Sequence, residues 1–81
     1  MTVSDDIALL EELGQACFGA DWKKALAREA EINLRTIYRW LSGELLISES
    51  AWQHLAAVAG ERADEIMRVV AVIENEKLGR E

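Results

Sequence analysis

Residues 22–43 read WKKALAREAEINLRTIYRWLSG, and this stretch decides the fold. Two short apolar stripes at helical spacing lie on either side of a turn. Leu26, Ala27 and Ala30 make a small inner face on the first helix. Ile37, Trp40 and Leu41 make the inner face of the second. Between them Ala30-Glu31-Ile32-Asn33 forms the turn, with Ile32 plugging it and Asn33 placed to cap the second helix. Gly43 stops that helix. Its outward face carries Arg35, Thr36, Tyr38, Arg39 and Ser42. A short helix that is apolar on one side, with arginines and hydrogen-bonding groups on the other, suits the major groove of DNA.

Upstream, Ser4 is an expected N-cap, with Asp5 and Asp6 in a first turn where the helix dipole favours negative charge. Ile7, Leu10, Leu13, Ala16 and Cys17 repeat at helical spacing. Gly14 weakens the middle of that helix by about 1 kcal/mol, and Gly19 is expected to end it in a left-handed cap. Asp21 is the expected cap of the next helix. Trp22, Leu26 and Ala30 fall at i, i+4 and i+8 and face inward.

Downstream, residues 44–48 connect, Ser48 caps a fourth helix, and Gly60 is expected to end it. Trp52, Leu55, Ala56 and Ala59 supply its inner face. A fifth helix is expected over about 61–77. Val69 to Ile73 are consecutive apolar residues, more than the stripe of roughly 100° that a core-covering helix needs. Ile66, Val69, Val70 and Ile73 are therefore the expected dimer interface. The alternative is that these valines finish the core of the single chain. The ends, residues 1–3 and 79–81, are expected to be loose. The expected architecture is all-α: one domain over 1–81, a compact bundle of about five helices.

The absence of proline, the scarcity of glycine and the abundance of alanine, leucine and glutamate agree with that class. At 81 residues a single core barely offsets chain entropy, so help from a partner chain is in keeping with the size. Cys17 is the only cysteine, which excludes an internal disulfide and gives no support for an oxidising compartment. No basic flank precedes an apolar run at the N-terminus, and the run Val69 to Ile73 is too short to span a membrane. A cytoplasmic location is expected, with no membrane partner.

The net charge of −6 argues against nucleic acid when taken alone. Its distribution matters more. Residues 1–19 hold four acids and no base, and residues 45–81 hold seven acids and four bases. Residues 20–44 hold five bases (Lys23, Lys24, Arg28, Arg35, Arg39) against four acids, so the expected reading unit alone is not acidic. Acidic flanks weaken non-specific DNA binding and leave affinity to a few well-placed contacts.

On these residues, 22–43 resembles the helix-turn-helix of the Cro/C1 (XRE-like) family of small bacterial and phage repressors. The matching features are Leu26-Ala27, Ala30, Ile32, Ile37 and Trp40. The piece Thr36-Ile37-Tyr38-Arg39-Trp40-Leu41-Ser42-Gly43 looks like the family's T-[VI]-x-R-W-x-x-G ending, and the likeness extends over about 7–59. Glu31 departs from it, because the family usually has glycine there, where the backbone turns left-handed. A non-glycine residue costs about 1 kcal/mol in that conformation. The resemblance implies a lambda-repressor-like DNA-binding fold with the second helix in the major groove. Carried over, Asn33, Arg35, Thr36 and Arg39 are the base-reading candidates, and arginine to guanine is the commonest specific contact. Lys23, Lys24, Tyr38 and Ser42 are the backbone-contact or supporting candidates. Leu34 touches either a thymine methyl or the core.

Bland readings stand beside these. Trp22, Trp40 and Trp52 read as packing residues, His54 as a surface residue and Cys17 as a core thiol. Arg35 and Arg39 are like-charged i, i+4 neighbours, which favours an anionic partner over a merely solvated face. No Cys/His cluster, phosphate-binding glycine loop or nucleophile elbow is visible, so no metal, cofactor, small-molecule ligand or enzyme activity is expected. The expected function is a sequence-specific transcriptional regulator, a dimeric autorepressor on an inverted repeat. The alternative is an acidic protein-interaction module, such as an antitoxin or phage-type inhibitor, on the same fold.

Overall fold

The structure, a computed structural model, describes residues 3–79. It is all-helical, in the order α1 (Val3–Phe18), α2 (Trp22–Ala30), α3 (Leu34–Ser42) and α4 (Glu49–Glu76). The expectation of loose ends falls partly on Met1, Thr2, Arg80 and Glu81, which lie outside the described residues. Helical backbone already begins at Val3, so Ser4 lies inside α1 and not at its cap.

Eight residues form the buried core: Leu10, Trp22, Leu26, Ala30, Ile37, Trp40, Ile47 and Leu55. Each helix contributes, and the 43–48 connector adds Ile47. Leu13, Phe18, Ala27, Ile32, Leu41, Leu45, Ala51, Trp52 and Val58 pack around them, half-buried. Ala16 and Ala56, expected to face inward, are exposed.

Gly14 is buried, and a Cβ there would overlap the Trp22 indole. The residue that looks like a weak point in α1 is thus the seat on which α2 rests its tryptophan. Gly19 closes α1 with φ +80°, and its N–H donates to Gln15 O at 2.9 Å.

The fifth helix does not exist as a separate element. α4 runs for 28 residues straight through Gly60. A glycine keeps its N–H and so can stay in the i→i−4 ladder; it ends a helix only where the chain turns left-handed. Gly60 is not among the glycines with positive φ, and nothing lies within 4 Å of where its Cβ would be. Ala56 to Ala59 before it and Glu61 to Glu65 after it are mostly strong helix formers, and they carry the helix across.

At about 1.5 Å per residue α4 is roughly 42 Å long, and it meets the other helices only along about its first half, as far as Arg62. The molecule therefore measures 54 × 24 × 22 Å, with a radius of gyration of 15.6 Å. A compact chain of this length has about 12 Å, so the expected compact bundle is instead a small bundle with a projecting helix. Ile66 (51% exposed), Val69 (46%) and Ile73 (45%) stand out in solvent, as do Met67 and Val72, while Val70 is half-buried. These side chains do not complete the core of the single chain.

Candidate nucleic-acid interface

The geometry of residues 22–43 starts from the end of α2. Glu31 takes φ 56°, ψ 45°, the left-handed conformation. Ile32 N–H donates to Ala27 O at 2.9 Å and Glu31 N–H to Arg28 O at 3.4 Å. That pair of bonds is a Schellman motif with glutamate where glycine is usual. Ile32 and Ala27, the residues the motif brings together, are both half-buried against the core. The turn is built despite the side chain at 31 because its hydrogen bonds and apolar plug over-determine it.

Asn33 then starts α3. Its backbone is extended, and Oδ1 accepts the Arg35 N–H at 2.8 Å. The cap fixes the phase of the helix. Ile37 and Trp40 are buried, Leu34 and Leu41 half-buried, and Arg35, Tyr38, Arg39 and Ser42 exposed; Thr36 is half-buried at the flank. Leu34 thus leans on the core side.

Among the expected base readers, Arg35 and Arg39 stand one turn apart on the outer face. They differ in their surroundings. Arg39 Nε lies 3.4 Å from Glu44 Oε2, whereas Arg35 has no carboxylate partner among the described residues. The Asn33 side chain is exposed, with its oxygen committed to the cap. Ser42 is committed too: Oγ donates to Arg39 O at 3.1 Å and accepts from Glu44 N–H at 3.3 Å.

The start of α2 supplies a second group. Ala20, Asp21, Lys23, Lys24 and Tyr38 line one shallow cleft of about 310 Å³. Lys23, Lys24 and Tyr38 therefore meet at one place, beside α3. Lys23 Nζ sits 5.4 Å from the centre of the Trp22 ring, a cation–π distance that holds the side chain over the bundle. Asp21 occupies the cap position of α2, yet its side chain makes no cap bond. At φ −95°, ψ 42° the residue is outside the extended region from which a cap side chain reaches the N2 or N3 amide.

Two contacts escape a reading of the sequence. His54 Nε2–H donates to Ala30 O at 2.7 Å, tying α4 to the end of α2 where the turn begins. Glu44 follows Arg39 by five residues, beyond one helical turn. The left-handed Gly43, φ 81°, folds the chain back and returns the carboxylate to the arginine. An i, i+5 pair across a C-terminal glycine is the signal that could have found it.

Arg62 fixes the root of the projecting helix. Its Nε–H donates to Cys17 O at 2.8 Å, and its guanidinium lies 4.4 Å from the centre of the Phe18 ring. Among the described residues, no group of three or more metal-ligating side chains gathers, and no helix is long and apolar enough to cross a membrane. Comparison of the chain with protein-family models, with curated proteins and with solved structures finds no match.

Proposed function

We propose that this chain is a sequence-specific DNA-binding transcriptional regulator, a homodimeric autorepressor acting on an inverted-repeat operator. The observation that carries the reading is the presentation of α3. Its apolar side is locked by Ile37 and Trp40, its start is capped by Asn33, and Arg35 and Arg39 project from the opposite side. A rigid amphipathic helix with a paired arginine edge fits the width of the major groove and the acceptor pair of guanine. Lys23, Lys24 and Tyr38 in the adjoining cleft supply groups for phosphate. The resemblance of 22–43 to Cro/C1 repressors supports the same reading, and the turn at Glu31 closes as a Schellman motif without the family's glycine.

One reading helix covers about four to six base pairs, too few to define a site, and two-fold pairing supplies the remainder. The bare side of α4, through Ile66, Val69, Val70 and Ile73, is the surface on which a second copy pairs.

Selection of bound duplexes from random DNA, followed by fluorescence anisotropy at two salt concentrations, tests the proposal. The expected result is one enriched inverted repeat, bound more tightly than its shuffled version and more weakly as salt rises. Arg35→Ala and Arg39→Ala are each expected to lose about tenfold or more in affinity for it. No enrichment would overturn the reading.

A second reading has its own observation. The acidic surface, with a net charge of −6 overall, suits a protein-interaction module such as an antitoxin or phage-type inhibitor. It predicts that changes on the acidic face abolish activity while Arg35→Ala and Arg39→Ala leave it intact.

A further inference from the structure

Glu44 is the acidic residue that reaches the outer face of α3, and the way it gets there is built. Gly43 reverses the chain, with its N–H donating to Trp40 O at 3.1 Å. Leu45 N–H donates to Arg39 O at 3.2 Å. Ser42 Oγ bridges Arg39 O and the Glu44 N–H. Gly43, Glu44 and Leu45 are thus hydrogen-bonded back onto the last turn of α3, and Glu44 is held by its backbone beside the arginine. Its carboxylate meets Arg39 at Nε, 3.4 Å away. A guanidinium gripped from its Nε side keeps both terminal nitrogens for the two-point contact that guanine O6 and N7 accept.

We infer that Glu44 is a positioning residue for Arg39 that raises discrimination between DNA sequences, an inference that rests on the DNA-binding reading above. It acts in two ways. It limits the rotamers of a long, half-exposed side chain before DNA arrives, so less freedom is lost on forming the correct contact. It also places a negative charge at the edge of the groove, which lowers the affinity of every duplex alike and leaves the ratio between sequences to the positioning of Arg39. Arg35, which has no such partner among the described residues, contributes affinity with less selectivity.

The test uses the duplex selected by the wild-type chain and its shuffled control. Glu44 is exposed and outside the core, so its replacement leaves the fold intact, which circular dichroism checks. In Glu44→Ala the shuffled duplex is expected to bind about threefold more tightly, because one repelling charge is gone. The selected-to-shuffled affinity ratio is expected to fall about fivefold, roughly what the prior ordering of one long side chain is worth. Glu44→Gln, which keeps an acceptor at the same place, should retain most of the ratio. In an Arg39→Ala background, Glu44→Ala should leave the ratio unchanged. If the ratio survives Glu44→Ala, or falls equally in both backgrounds, the inference is overturned while the DNA reading stands. If the wild-type chain selects no duplex, both fall together.

Discussion

At the scale of single residues, two positions set local preference against packing in opposite senses. Gly14 is a poor helix former, and alanine there would favour α1 by about 1 kcal/mol on propensity alone. The Trp22 ring, 2% exposed, occupies the space that a Cβ would need. Overpacking of that kind costs about 1–3 kcal/mol, so packing wins. Gly14→Ala should lower the melting temperature by several degrees, as thermal denaturation followed by circular dichroism would show; an unchanged or raised midpoint would refute the seating of Trp22. Glu31 is the reverse case. Its left-handed backbone is strained, and its exposed side chain makes no ion pair among the described residues. Glu31→Gly should stabilise by about 1 kcal/mol, an upward shift of roughly 4–8 °C for a domain this small. A fall in the midpoint would mean that the glutamate side chain supports the turn.

At the scale of elements, α4 carries the main lesson. A helix followed by glycine and then more helix-forming residues can be divided or continuous, and local pattern does not decide between them. The Arg62 contacts with Cys17 O and Phe18 lie just beyond Gly60 and lock the continuous form onto the end of α1. Because the space around Gly60 is open, Gly60→Ala should stabilise the chain by about 1 kcal/mol, the ordinary propensity difference. A C-cap glycine would respond with destabilisation instead, so the sign of the change in a chemical denaturation curve separates the two structures.

At the scale of the whole molecule, the long axis of 54 Å reflects an apolar side that continues past the bundle. Ile66, Met67, Val69, Val72 and Ile73 are each about half exposed, and Val70 is half-buried. Covering the rest of Ile66, Val69, Val70 and Ile73, the proposed pairing side, is worth about 1 kcal/mol each, so roughly 8 kcal/mol for two copies. Association itself costs about 4–15 kcal/mol. The balance gives at best a dimer at about millimolar concentration, which binding to a two-fold operator would reinforce. Sedimentation equilibrium should show a concentration-dependent dimer, and Ile66→Asp with Ile73→Asp should leave a monomer of unchanged helix content. A wild-type chain that stays monomeric well above millimolar concentration, and also on its selected operator, would remove α4 as the pairing surface.

The sequence by itself determined the helical class, the bounds of α2 and α3, the caps at Asn33, Gly43 and Ser48, and the outward placement of Arg35 and Arg39. Each rests on signals within one or two turns: apolar spacing, a capping side chain, a glycine. Only the tertiary structure decided the features that depend on residues far apart in the chain. It joined the two C-terminal helices, because Arg62 finds its partners 45 positions away. It gave Gly14 its purpose, because Trp22 lies on it. It brought Lys23, Lys24 and Tyr38 to one cleft, and Glu44 back to Arg39 around Gly43. Local pattern specifies which face of a helix is apolar; which neighbour covers that face, or leaves it bare, follows from how the helices pack.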